Sequence, residues 1–294
     1  MPPPSVRPPI PVVEMIPPAA GIGRVVYIPP RRPAPDPGDI GEEVVDVGDP
    51  ILQQIAEAPA TGGESSAAPT VFNVGVKPDV PKFGYLDPQT NKYEGFEIDL
   101  SQAVAEKVAG GPAELKFTSV TPKTRGPLLD NGELDWICAT FTITEERKLS
   151  FNFSDPYFVD AVRVMVKKDG GAKSFADLNG KTIGVAQAAT SMKALQEEAD
   201  RLGITISFAE FATYPEIKAA LDSKRVDAFS VDGAILAGYL DDTTELLPEK
   251  LTPQDYGIAT KLSNTELAGK IDDAIADMKA DGSLDALLEK WGLN

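Results

Sequence analysis

Near residue 70 the pattern of hydrophobic and polar positions changes, and from there onward two periods alternate. Phe72, Val74 and Val76 recur at every second position, the period of a strand, whereas Leu100, Val104 and Val108 recur four apart and share one helical face. Gly110-Gly111-Pro112 stops that helix. Residues 115–120 then read as a strand, 124–130 as a short helix ended by Asn131-Gly132, and 135–140 as a strand. A second unit begins after the apolar run 162–167. It reads as strand 182–186, helix 191–202, strand 204–210, helix 214–223 and strand 226–231, followed by a strand over 256–260 and helices over 265–280 and 283–291. This βαβα order predicts an α/β protein with mostly parallel sheets covered by helices. Two such units with a crevice between them favour a ligand site at the carboxyl ends of the strands.

Residues 1–69 carry neither period. They hold 16 of the 26 prolines, and four Arg stand against nine Asp plus Glu. Such a segment buries too little apolar surface to offset its ordering entropy, so 1–70 reads as a disordered, Pro-rich leader or tether. Within it, Val12-Val13-Glu14-Met15-Ile16-Pro17-Pro18 loosely echoes Val25-Val26-Tyr27-Ile28-Pro29-Pro30, a pattern open to docking an unknown partner. One short helix is expected over 49–58, with Asp49 as its N-cap and Pro50 at its first position.

Composition narrows the function. The net charge of −17 disfavours a nucleic-acid role, because phosphate binding draws on clustered Lys and Arg. The absence of histidine removes the usual general base of nucleophile sites and the commonest zinc ligand, and a single cysteine, Cys138, forms neither an intrachain disulfide nor a thiolate cluster. No metal or other cofactor is expected. Uncharged stretches such as 234–240 fall far short of the roughly 18 apolar residues of a spanning helix. The run 15–23, broken by Pro17 and Pro18 and preceded by Glu14, makes a poor signal-peptide core, and no lipid-modified cysteine is in view.

Candidate chemistry gathers where strands end. Gly75-Val76-Lys77 puts a cation at one strand end, and Lys123-Thr124-Arg125 puts another at a helix entry. Thr140-Phe141-Thr142-Ile143-Thr144-Glu145-Glu146-Arg147 is a hydroxyl-rich turn closed by Arg. Ala186-Gln187-Ala188-Ala189-Thr190-Ser191 is a strand-to-helix turn whose free backbone N–H groups suit an anion. Ser230-Val231-Asp232-Gly233 sets an acid opposite them. Each of these is unremarkable alone; their joint placement at successive strand ends is the signal.

These segments carry a resemblance. Gly95-Phe96-Glu97-Ile98-Asp99, the Thr142-to-Arg147 run, Phe153-Ser154-Asp155-Pro156-Tyr157 and Lys290-Trp291-Gly292 are similar to the polar amino-acid solute-binding proteins (family 3) of ABC transport, over residues 71–294. Three longer runs, 124–132, 184–190 and 224–232, resemble the aspartate/glutamate-binding branch of that family. The resemblance implies a type II periplasmic-binding-protein fold, a two-lobed clamp with lobe 1 over 71–162 and 257–294 and lobe 2 over 163–256, joined by two crossing strands. It implies that Arg147 clamps the ligand α-carboxylate, aided by the Thr190 N–H. Asp232 takes the α-ammonium, with Thr142 and the Thr140 carbonyl. Lys77, Arg125, the Thr140 hydroxyl and Tyr214 hold the side-chain carboxylate.

Counting Lys77, Arg125 and Arg147 against Asp232 gives such a site a charge of +2, which favours L-glutamate or L-aspartate over glutamine. The implied function is periplasmic or cell-surface capture of these amino acids, by hinge closure and without catalysis, for an ABC transporter permease. A tethered sensor or adhesin built on the same pocket, and a dehydratase on the same fold, are the alternatives; a dehydratase needs a spare carboxylate as general acid, and the Arg147 and Asp232 pair is committed to the α-groups.

Overall fold

The computed structural model describes residues 69–294. The short helix expected over 49–58 and residues 1–68 of the expected leader lie outside those residues; Thr70, which the expectation placed in the leader, instead opens the strand Thr70–Val76, where it pairs with Ala113.

Two five-strand paths form the framework. In the first sheet the strands run in the order Ala113–Ser119, Thr70–Val76, Trp136–Ile137, Ala259–Lys261, Phe151–Phe153. In the second the order is Ser207–Phe211, Thr182–Ala186, Ala228–Asp232, Phe158–Lys167, Thr244–Leu246. Parallel pairing holds the first three strands of each sheet together, as the alternating pattern predicts. Both sheets then add antiparallel strands, so they are mixed rather than mostly parallel throughout. The reason lies in the connections: the long strand Phe158–Lys167 follows the first sheet's Phe151–Phe153 and enters the second sheet antiparallel, and the chain returns to add Ala259–Lys261 antiparallel to the first.

That long strand is also paired, antiparallel, with the returning strand Pro253–Tyr256, in a register that sets Phe158 opposite Tyr256 and Ala161 opposite Pro253. These two strands are the covalent crossing between the sheets. Phe83, Phe158, Tyr157 and Tyr256 pack their rings together around the crossing, which buries Tyr157 and Tyr256 almost completely.

The helices form over Phe96–Ala109, Ser191–Leu202, Tyr214–Asp222, Thr265–Ala280 and Ser283–Trp291, close to the expected bounds. Leu100 and Val104 are fully buried, and Gly110 at φ 68° ends the first of these helices in the left-handed conformation that glycine tolerates. Two strands are shorter than the apolar runs suggest. The run 135–140 is regular only over Trp136–Ile137, and 204–210 becomes Ser207–Phe211. The interior strand Thr70–Val76 also departs from simple alternation, since Val74, Gly75 and Val76 are all buried. Both of its faces are covered there: a Cβ on Gly75 would come within 2.7 Å of Leu134 Cδ1.

Candidate functional site

Six chain segments bring polar groups to the carboxyl ends of the strands. Lys77 follows Thr70–Val76, Arg125 opens the helix after Ala113–Ser119, and Thr140 to Arg147 follow Trp136–Ile137. From the second sheet, Thr190 follows Thr182–Ala186, Tyr214 follows Ser207–Phe211, and Asp232 closes Ala228–Asp232. Because a parallel strand exits with its backbone groups unpaired, these ends are where side chains and turns converge. All eight residues expected from the sequence lie in this region.

Arg125 is buried. Its Nη1 donates to the carbonyls of Ala139 at 2.6 Å and Thr140 at 3.2 Å, and its guanidinium stacks 3.9 Å from the centre of the Phe141 ring. Arg147 lies over the same ring, 4.7 Å from its centre. Its Nη1 donates to the Thr142 carbonyl at 2.7 Å, and its Nη2 reaches the Ala188 carbonyl of the second sheet at 3.3 Å. Burial and the neighbouring Arg125 pull the Arg147 pKa down to about 9, still a cation at neutral pH. Among the described residues neither arginine has a carboxylate within ion-pair distance.

Lys77 differs. It is 0% exposed, and its ammonium sits 2.9 Å from an Asp79 oxygen and 4.4 Å from the centre of the Tyr214 ring. Burial lowers its pKa and Asp79 opposes that shift. Asp79 Oδ2 also accepts the Tyr214 N–H at 3.2 Å, and the Asp79 carbonyl accepts the Tyr239 hydroxyl, so this residue ties the segment after Thr70–Val76 to helices packed on the second sheet. The expected charge of +2 is therefore too high. Asp79 cancels Lys77, and two cations, not three, remain without a partner acid. Only Pro78 separates the two residues, but the chain bends there between two strands, so strand alternation does not announce the pairing.

The hydroxyl-rich turn is held in an uncommon conformation. Thr140 has φ 43°, a left-handed value that costs a β-branched residue about 1–2 kcal/mol. Its N–H donates at 2.6 Å to Glu97 Oε1, which also accepts the Tyr157 hydroxyl at 2.5 Å. Glu97 is fully buried, and that burial raises its pKa to about 7. The Thr140 hydroxyl and Arg125 Nε are buried without a hydrogen-bond partner among the described residues. Such orphaned donors are costly unless something completes them.

The returning strand joins the two sides. Gln254 Oε1 accepts the hydroxyls of Thr142 at 2.8 Å and Thr190 at 2.7 Å. Tyr256 donates its hydroxyl to Asp232 Oδ2 at 2.6 Å. Burial, with Asp160 nearby, raises Asp232 to about 7 against the opposing pull of Arg125 and Arg147. In the turn before Thr190 two of the N–H groups expected to be free are already used: Gln187 bonds the Phe211 carbonyl and Ala189 the Ala186 carbonyl. Cys138 is buried beside this region, and burial pushes its thiol pKa well up, as suits a small apolar packing residue.

Sequence reasoning assigned no role to Asp79, Glu97, Phe141, Gln254 or Tyr256. Glu97 stood inside a recognisable motif. Gln254 and Tyr256 gave no signal, because only the crossing of the chain brings them to the site.

Two α/β sheets with their strand ends facing a shared site, crossed by an antiparallel strand pair, constitute the type II periplasmic-binding-protein fold. The chain belongs to the bacterial extracellular solute-binding proteins, family 3, whose model matches residues 72–294. It is 38% identical over 220 residues to the ABC transporter glutamine-binding protein GlnH of Bacillus subtilis (strain 168), covering 74% of this chain and 79% of that protein. It is 31% identical over 250 residues to the glutamate/aspartate import solute-binding protein of Salmonella typhimurium (strain LT2), covering 81% and 82%. A solved structure, an ancestral arginine-binding protein bound to arginine, aligns with a TM-score of 0.68 and 35% identity over 75% of this chain and 97% of that one. The chain is thus an amino-acid-binding protein of the ABC-transport class, and both of these natural relatives are binding proteins by name.

Proposed function

We propose that the protein captures free L-glutamate or L-aspartate outside the cytoplasmic membrane and delivers it to an ABC transporter permease. Residues 71–162 with 257–294, and residues 163–256, act as two lobes that close on the ligand about the crossing strands. The observation that carries this reading is the pair of guanidinium groups, Arg125 and Arg147, that share the Phe141 ring and have no carboxylate partner among the described residues. A dicarboxylic amino acid brings one carboxylate for each. Arg147 takes the α-carboxylate with the Thr190 N–H. Arg125, the Thr140 hydroxyl and the Lys77–Tyr214 pair receive the side-chain carboxylate, and Asp232 with Thr142 and the Thr140 carbonyl receives the ammonium. The similarity to the glutamate/aspartate import protein supports this, as does the likeness of 124–132, 184–190 and 224–232 to the aspartate/glutamate-binding adhesin PEB1a.

Glutamine is the second reading, favoured by the pairing of Lys77 with Asp79 and by the similarity to GlnH. It leaves Arg125 without an anion, and a buried charge deprived of its partner costs roughly 3–5 kcal/mol. Calorimetric titration of refolded, ligand-free protein with L-glutamate, L-aspartate, L-glutamine and L-arginine tests both. Tight binding of the two acids with weak response to the others supports the proposal; glutamine binding at least as tightly as glutamate overturns it in favour of the second reading.

A further inference from the structure

Glu97 is assigned no contact with the proposed ligand; it reaches the site through the Thr140 N–H, and its surroundings are built around that contact. Gly95 precedes its helix at φ 133°, where an added Cβ would lie 2.1 Å from the Phe83 carbonyl oxygen. The N–H groups of Phe96 and Glu97 are spent on the carbonyls of Lys82 and Phe83, which fixes the first turn of helix Phe96–Ala109. From that turn the Glu97 carboxylate reaches Thr140 N–H and the Tyr157 hydroxyl with one oxygen, while Oε2 has no hydrogen-bond partner among the described residues. Burying a carboxyl group at 0% exposure is costly, and apolar packing would fill the space at less expense. The cost is offset only if the two bonds do something that packing cannot.

What they reach is the strained point of the turn. Thr140 holds φ 43°, the hydroxyl of Thr140 is unpartnered, and the carbonyls of Ala139 and Thr140 seat Arg125 Nη1. A single hydrogen bond to the Thr140 N–H therefore sets three things at once: the backbone angle, the direction of the hydroxyl and the seat of the guanidinium. We infer that Glu97 is a positioning residue for ligand recognition, anchored by Tyr157, which holds Thr140 in the left-handed conformation and thereby aims the Thr140 hydroxyl and Arg125. The inference rests on the reading of these groups as the receptor of an acidic side chain.

The test is a double-mutant series read by glutamate titration. Glu97→Gln retains an oxygen that accepts both bonds and is expected to stay within about threefold of the parent affinity. Glu97→Ala loses both bonds and is expected to weaken glutamate by about tenfold to a hundredfold. In a Thr140→Gly background, where glycine adopts the left-handed angle freely and has no hydroxyl to aim, removing Glu97 is expected to cost less than about twofold more. Tyr157→Phe, which deletes one hydroxyl, carries the same comparison if Glu97→Ala does not fold: about threefold loss alone, and none with Thr140→Gly. Equal losses in both backgrounds, or full affinity in Glu97→Ala, overturn the inference.

Amide hydrogen exchange at Thr140 in the ligand-free protein separates this from the ligand assignment. If wild-type protein ignores glutamate yet Thr140 exchanges at least tenfold faster in Glu97→Ala or Tyr157→Phe than in the parent, the ligand reading fails and the positioning role stands. Unchanged exchange sinks the positioning role.

Discussion

The two walls of the site are braced differently. On the wall built from the first sheet most contacts are internal: Lys77 with Asp79, Arg125 with the Ala139 and Thr140 carbonyls, Arg147 with the Thr142 carbonyl, Glu97 with Thr140. On the second wall the candidate residues find partners elsewhere. Ala188 and Tyr214 meet Arg147 and Asp79 of the first wall, and Thr190 and Asp232 meet Gln254 and Tyr256 of the returning strand. Charge accounts for the difference. The first wall gathers three cations: burial lowers the pKa of both Lys77 and Arg147 and repulsion from Arg125 adds to it, so that wall needs its own carboxylate and carbonyl braces. The second wall carries one acid and is organised by what it closes against.

The contrast is testable at both walls. The largest effect is expected from Arg147→Ala, which leaves the ligand α-carboxylate without its cation. Binding of every amino acid should weaken by roughly 3–5 kcal/mol, more than a hundredfold in Kd, in calorimetric titration. Next, Arg125→Ala should cost glutamate and aspartate about 2–4 kcal/mol but glutamine under about 1 kcal/mol, measured as the ratio of their affinities. An equal loss for all three would mean that Arg125 serves the fold of the first wall and not the ligand side chain.

Third comes the acid of the second wall. Asp232 is raised to about 7, so in the free protein it is increasingly protonated as pH falls below that value. An ammonium bound beside it favours the carboxylate, so below pH 7 binding must release a proton. Glutamate affinity should then fall by up to about tenfold per pH unit between 7 and 5 and flatten above 7. Titration in buffers of different ionisation enthalpy counts the protons. Asp232→Asn should bind weakly and lose most of this slope; a slope that survives intact points to Glu97, which titrates in the same window. The smallest effect belongs to the link between the walls. Gln254→Ala removes the shared acceptor of Thr142 and Thr190 and should weaken acidic and neutral ligands alike, by about 1 kcal/mol.

Much of this was written locally. Leu100 and Val104 announce a helical face, Gly110 its end, and the strand-helix alternation the parallel cores of both sheets, because period and turn chemistry act over a few residues. For the same reason the placement of Lys77, Arg125, Thr140 and Asp232 at strand ends was legible: an element's end is a local property. What the sequence by itself determined, then, was the elements, their order and the candidate side chains. Tertiary structure alone decided which groups partner them. Glu97 and Thr140 are 43 residues apart, and Thr142 and Gln254 are 112 apart. No pattern of period two or 3.6 spans such distances. The first pairing arises when helix Phe96–Ala109 packs beside the first sheet, the second when the chain crosses to the other sheet and back, and burial then turns each polar contact into a strong constraint.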